Sequence, residues 1–173
     1  MFFDSLSSTN DKMLAMLIDT TPAEGTVIST AFQTSGKGHM GNSWQSEKGK
    51  NLLFSILLLP DFLLPSNQFE LSKIISLALA DVIGKHSRNV SIKWPNDILS
   101  GEKKIAGILI ENVVTFNRIT TCIAGIGLNV NQENFSSEIK NPTSLLLETG
   151  CQFDMTQLQD QIVKRIEYWY SNL

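Results

Sequence analysis

The run KIAGILI, Lys104 to Ile110, is apolar at both parities. Because a strand alternates its side chains between two faces, such a run belongs in the middle of a sheet with cover on both sides. Three further segments have strand length and composition: GTVISTAFQ, NLLFSILLL and RITTCIAGIGLNV. VSIKWP adds a short one that Pro95 ends, since proline removes a ladder donor. Helical spacing interleaves with these strands. SSTNDKMLAMLID puts Met13, Leu14 and Leu17 on one face, with Ser8 or Thr9 as cap. Beyond Pro65, Leu71, Ile74, Ile75, Ala78, Leu79 and Val82 form a stripe, and Lys85 and His86 suit the negative end of that helix. A last helix, capped by Asp154 or Thr156, presents Leu158, Ile162, Ile166 and Trp169. The expected class is α+β: one mixed sheet with helices packed on it.

With 173 residues and 42% hydrophobic content, residues 1 to 173 suit a single domain with its own core. A net charge of −3 gives no basic surface for nucleic acid. Of the two cysteines, Cys122 lies inside an apolar run and Cys151 in a polar connection, which points to reduced thiols and a cytoplasmic protein. No leader pattern or apolar run of membrane-spanning length is present, so a soluble chain with no membrane association is expected.

Five polar features interrupt the scaffold. Between two strands lies QTSGKGHMGNSWQS, Gln33 to Ser46, a long connection with no apolar periodicity; such a stretch is either a functional loop or a flexible one. Its glycines, Gly36, Gly38 and Gly41, allow successive amides to turn toward an anion, and Lys37 adds charge. It is not a nucleotide-hydrolase phosphate loop, because no Gly-Lys-Ser/Thr follows and a strand comes next. A flexible connection would explain its glycine and serine but would not require Trp44. SSTN, Ser7 to Asn10, reads equally as a helix cap. WPND, Trp94 to Asp97, reads as a turn, although that leaves Trp94 without a purpose. Lys104 stands where a strand end would meet solvent. Gly125 and Gly127 sit inside a strand, where glycine costs stability unless a backbone or a ligand comes close.

The order of these features, STN, then Q-x-x-G-K-G-x-x-G-x-x-W, then KWPND, KIAGILIE and GIGLN, resembles the catalytic domain of biotin protein ligase, from about Asp4 to Trp169. The resemblance implies the catalytic fold shared by biotin and lipoate ligases and class II aminoacyl-tRNA synthetases. It also implies a reaction in which biotin and ATP give biotinyl-5′-AMP and pyrophosphate, with transfer of biotin to a lysine of a biotin carboxyl carrier protein. Biotin contacts would come from Ser8, Thr9, Asn10 and Gln33, with Gly107 and Gly125 leaving room for ring and chain. Gly36, Lys37, Gly38 and His39 would close over the carboxylate as a mobile lid. Lys37, His39, Trp44, Asp97 and Asn129 would face ATP or the adenylate, Asp97 with Mg²⁺ as a further partner. Lys104 would be the catalytic charge beside carboxylate and α-phosphate, where negative charge builds up.

Relative to the usual family pattern, the chain opens with no DNA-binding segment, so repressor activity is not expected, and it stops at Leu173 before the usual small β-barrel, so it is expected to be either a piece of a longer protein or a minimal form with weaker nucleotide handling. Lys37 and His39 stand where many relatives have arginines. Two rival readings are a lipoate or octanoate ligase, disfavoured by Gln33 and STN, and a binding module that holds biotin or its adenylate without turnover, disfavoured by Lys104, Asp97 and Asn129. Exposed sheet edges offer a route to a homodimer.

Overall fold

The computed structural model describes residues 1–173. Along the chain come β1 (Phe2–Phe3), α1 (Thr9–Asp19), β2 (Val27–Thr30), β3 (Asn51–Leu58), α2 (Phe69–Ile83), β4 (Val90–Lys93), β5 (Asp97–Ser100), β6 (Lys103–Thr115), β7 (Arg118–Asn129), α3 (Leu145–Thr149) and α4 (Met155–Tyr170). The strands form one seven-stranded sheet in the order β1-β2-β3-β7-β6-β5-β4. Only β1 and β2 pair in parallel, so the sheet is mixed as expected. Between β6 and β7, Phe116 and Asn117 both take positive φ, the turn geometry whose twist matches that of an antiparallel pair.

Alternation divides the sheet's two faces. Leu52, Phe54, Ile56 and Leu58 of β3, Cys122, Ala124, Ile126 and Leu128 of β7, and Ala106 and Ile108 of β6 join one core cluster with α2 and α4. Leu71, Ile74, Ile75, Ala78, Leu79, Val82, Leu158, Ile162 and Ile166 supply the helical side, as the spacing predicted. Asp81 of α2 ties the two helices by accepting from Arg165 Nε at 2.6 Å and from Trp169 Nε1 at 2.9 Å on α4. The opposite face carries a smaller cluster of Met13, Ile28, Leu57 and Ile123 beneath α1.

Three expectations change. KIAGILI is central, but helices cover only one of its faces; the other looks into a cavity beside α1. Leu14 is 46% exposed, so Met13 is the buried anchor of α1 and Leu14 turns outward. Asp97, read as the end of the WPND turn, opens the strand β5, which pairs with both β4 and β6. Its four residues are too short to show a period, and the Asn and Asp before it favour a turn reading. The brief β1 and α3 escaped notice for the same reason.

Both cysteines are free, Cys122 buried and Cys151 exposed. Burial pushes the Cys122 thiol up to about 12, leaving almost no thiolate at neutral pH. A thiol reagent at pH 7.5 should therefore label one cysteine per native chain, Cys151, and two after denaturation. Equal labelling of both in the native chain would contradict this packing.

Candidate functional site

The register of the inner strands builds the floor of the site. Ser55 of β3, Gly125 of β7 and Leu109 of β6 stand in one cross-strand row. The next row holds Leu53, Gly127, Gly107 and Asp97. Three glycines side by side on the same face leave a trough in an otherwise buried sheet. A Cβ on Gly107 would lie 2.7 Å from the Trp44 ring, one on Gly127 would also strike that indole, and one on Gly125 would strike the Asn10 side chain. The strand glycines are thus explained by side chains that come down onto the backbone. In this structure Trp44 and Asn10 occupy the space over Gly107 and Gly125 that the sequence reading had left for ring and chain.

α1 aims its first residues into the trough. Ser8 caps the helix by accepting from the Asp11 amide at 3.4 Å, so the cap reading is correct. Its neighbours do more than cap. Thr9, buried, donates from its amide to Gln33 Oε1 at 2.8 Å and from its hydroxyl to the same oxygen at 3.2 Å. Ser55 Oγ lies 2.7 Å from Thr9 Oγ1 and 2.5 Å from Asn10 Oδ1, and Asn10 Nδ2 donates to Glu111 Oε2 at 2.7 Å. The wall is a continuous polar chain over an apolar sheet.

The long connection folds back as a tight hairpin. Trp44 N donates to Gly36 O at 2.8 Å and Gly38 N to Asn42 O at 2.6 Å, with Met40 and Gly41 at positive φ in the turn. The connection, read from sequence as a functional or a flexible loop, is internally paired here. Asp11 fastens it to α1 through Lys37 at 2.5 Å, and that hydrogen bond holds the Lys37 ammonium above the usual lysine range, opposed by partial burial. His39 is exposed at the tip beside the cavity. Gly36 and Gly38 let the two arms approach, since a Cβ on either would press on Trp44 or Asn42.

Lys104 lies at the boundary of two cavities. Its backbone is fixed from outside the sheet: Lys104 N donates to Asn141 O at 2.7 Å, and Thr143 N donates to Lys104 O at 2.9 Å. Its Nζ is 2.6 Å from Asp97 Oδ1 and 5.5 Å from the Trp44 ring centre. The Asp97 contact is electrostatic rather than directional, because no well-aligned hydrogen bond reaches Oδ1. A first cavity of about 160 Å³ is lined by Ser8, Thr9, Gln33, Lys37, Gly107 and Gly125 among others; a second of about 550 Å³ includes Asn129, Lys93, Phe135 and Lys140. Trp44, Asp97 and Lys104 belong to both. Asn129 lies on the second side only, donating from Nδ2 to Thr143 O at 2.9 Å. Trp44 Nε1 is buried with no acceptor.

The sequence-predicted residues thus converge: Ser8, Thr9, Asn10, Gln33, Lys37, Gly38, His39, Gly107 and Gly125 around the first cavity, and Asn129 around its neighbour. Trp94 does not join them; it is 70% exposed and packs edge-on against Phe69. Three polar residues that hold the lining side chains were overlooked: Asp11, Ser55 and Glu111. Ser55 had a visible signal, as the one hydroxyl within the otherwise apolar LLFSILLL, whereas Asp11 and Glu111 look like ordinary surface charges until the fold brings Lys37 and Asn10 to them.

Comparison with known proteins places the chain in a family. Residues 2–131 match the model of the biotin/lipoate A/B protein ligase family. The bifunctional ligase/repressor BirA of Bacillus subtilis (strain 168) is 35% identical over 173 residues, covering 98% of this chain and 53% of that protein. The biotin--[acetyl-CoA-carboxylase] ligase of Mycobacterium tuberculosis is 27% identical over 165 residues, 92% of this chain and 59% of that protein. The chain therefore spans about half the length of the curated relatives it matches. Among solved structures, the biotin protein ligase from Aquifex aeolicus in complex with biotin and ATP superposes with a TM-score of 0.83 at 30% identity, covering 99% of this chain and 69% of that one. No helix is long and apolar enough to cross a membrane. The chain belongs to the biotin/lipoate A/B protein ligase family.

Proposed function

We propose that this chain is the catalytic domain of a biotin protein ligase, which activates biotin with ATP and passes it to a lysine of a biotin carboxyl carrier protein. The observation that carries the reading is Lys104, a fixed cation at the boundary between a small cavity with a polar wall and a larger one beside it. A reaction joining two substrates needs such a boundary.

In the first step a biotin carboxylate oxygen attacks the α-phosphorus of ATP. The bond to the β-phosphate breaks, pyrophosphate leaves, and a mixed anhydride remains. Both reactants are anions, so a positive charge held at their junction stabilises the transition state more than either substrate alone. Lys104 meets that need, and Lys37 and His39 on the hairpin supply donors from above. Asp97 keeps Lys104 oriented before substrate arrives. In the second step the carrier amine attacks the acyl carbon and AMP departs, so the chain needs no covalent nucleophile of its own.

The bicyclic head of biotin is a neutral urea that both donates and accepts, which suits Ser8, Thr9, Asn10 and Gln33 better than an apolar acyl chain does. At about 160 Å³ the first cavity is smaller than the roughly 300 Å³ or more that a drug-sized ligand fills, because the Trp44 indole occupies part of the trough. A buried N–H without an acceptor costs about 1–3 kcal/mol. Trp44 Nε1 is such a group, so the indole gains by moving when a ligand enters. The hairpin then acts as a lid that admits biotin and afterwards keeps water from the anhydride.

The chain's own donors do not build a resident magnesium site. No group of three or more His, Cys, Asp or Glu is suitably placed, and Asp97 is engaged with Lys104. Any magnesium is better supplied with the triphosphate as part of that substrate. The free thiols support the cytoplasmic setting expected from the sequence.

Pyrophosphate should be released when biotin and MgATP are added together, and lipoate should not replace biotin; equal release with lipoate would reject the biotin reading. Lys104→Ala should slow adenylation by roughly 100-fold or more while moving the melting temperature little, since it removes a transition-state contact from a partly exposed side chain. Unfolding of this variant with unchanged activity per folded molecule would make Lys104 structural.

A further inference from the structure

We infer that Glu111 is a positioning residue: through Asn10 and Ser55 it sets which groups around the first cavity donate and which accept. The inference rests on the biotin reading above and deepens it. The Asn10 side chain is buried with its amide between two environments of opposite demand. On one side stand Glu111 Oε2 at 2.7 Å and Leu109 O at 3.4 Å, both acceptors only. The NH₂ must face them, so Oδ1 must face Ser55 at 2.5 Å. Ser55 has one hydroxyl proton, and Asn10 Oδ1 takes it.

That commitment passes along the wall. Ser55 Oγ can donate to Thr9 Oγ1, 2.7 Å away, or to Asn10 Oδ1, but not to both; with its proton spent on Asn10 it no longer donates to Thr9. Gln33 is fixed independently: the Thr9 amide donates to Oε1, which turns Nε2 away as a free donor near Gly36. The Thr9 hydroxyl donates to Gln33 Oε1, and the Thr9 lone pair that Ser55 no longer occupies is left for the cavity. Gln33 Nε2 offers a proton and Thr9 Oγ1 offers a lone pair. A urea presents the matching pair, an N–H and a carbonyl. Without Glu111 only the long contact to Leu109 O would resist rotation of the Asn10 amide. A rotated amide would donate to Ser55, Ser55 would donate to Thr9, and a preorganised acceptor would become ambiguous.

Glu111 itself is exposed, so its replacement leaves no cavity in the core. The test compares native chain, Glu111→Ala and Glu111→Gln by calorimetric titration with biotin, together with their melting temperatures. Glutamine retains a carbonyl that can accept from Asn10 Nδ2, whereas alanine does not. Glu111→Ala should bind biotin about tenfold more weakly, Glu111→Gln should stay within about threefold of native, and all three should melt alike. Native-like binding by Glu111→Ala would overturn the inference, as would equal weakening in both variants, which would assign the effect to charge. A fall in melting temperature matching the affinity loss would make Glu111 structural and would also overturn it. Failure of the native chain itself to bind biotin would reject the underlying biotin reading, and the inference with it, a result distinct from all the others.

Discussion

Over the middle of the sheet the backbone comes into direct contact with two side chains, because β6 and β7 carry no Cβ at Gly107, Gly125 and Gly127. Strand glycines give up packing and conformational entropy, and here the return is a trough whose floor is main chain. Every other part of the site is placed relative to that trough. α1 tips Asn10 onto Gly125, the hairpin lowers Trp44 onto Gly107 and Gly127, and Asp97 ends the same row at β5. Alanine at any of the three would push one of these side chains away. The opposite face, filled by α2 and α4, makes the sheet stiff enough to hold such a surface in register.

Charge in the site is arranged to be available rather than neutralised for good. Lys37 pairs with Asp11 and Lys104 with Asp97, each across two elements. Neither pair is deeply buried, so neither is a large source of stability. Their use is positional. Under the proposed function each carboxylate holds its ammonium where an anionic ligand would replace it, and the backbone bonds from Lys104 to Asn141 and Thr143 hold that lysine's main chain in place.

Much of this arrangement was legible before any coordinates. Periodicity and composition located the long helices and four principal strands, because apolar stripes at these spacings admit few alternatives. The order of STN, the glycine-rich loop, KIAG and GIGLN carried a family resemblance, and the residues it singled out are gathered by the fold around the first cavity and its neighbour. What escaped has a common physical origin: it depends on which residues meet across the fold. The contacts of Glu111 with Asn10 and of Asp11 with Lys37 join positions about 100 and 26 residues apart, and no local pattern records such a pairing. The same holds for β5, whose four residues become a strand only because β4 and β6 lie on either side. Trp44 was flagged as unexplained by a flexible loop; that it rests on Gly107 and Gly127 required the hairpin to be seen folded.

If the trough and its polar wall are where both substrates meet, ligand binding should quiet that region selectively. Amide hydrogen exchange of the native chain, with and without biotin and MgATP, measures this directly. Protection is predicted to concentrate in residues 8–12, 33–46, 104–109 and 125–131, with little change in α2, α4 or the β6-β7 turn. Protection absent from those segments, or centred on the helical face of the sheet, would contradict the account.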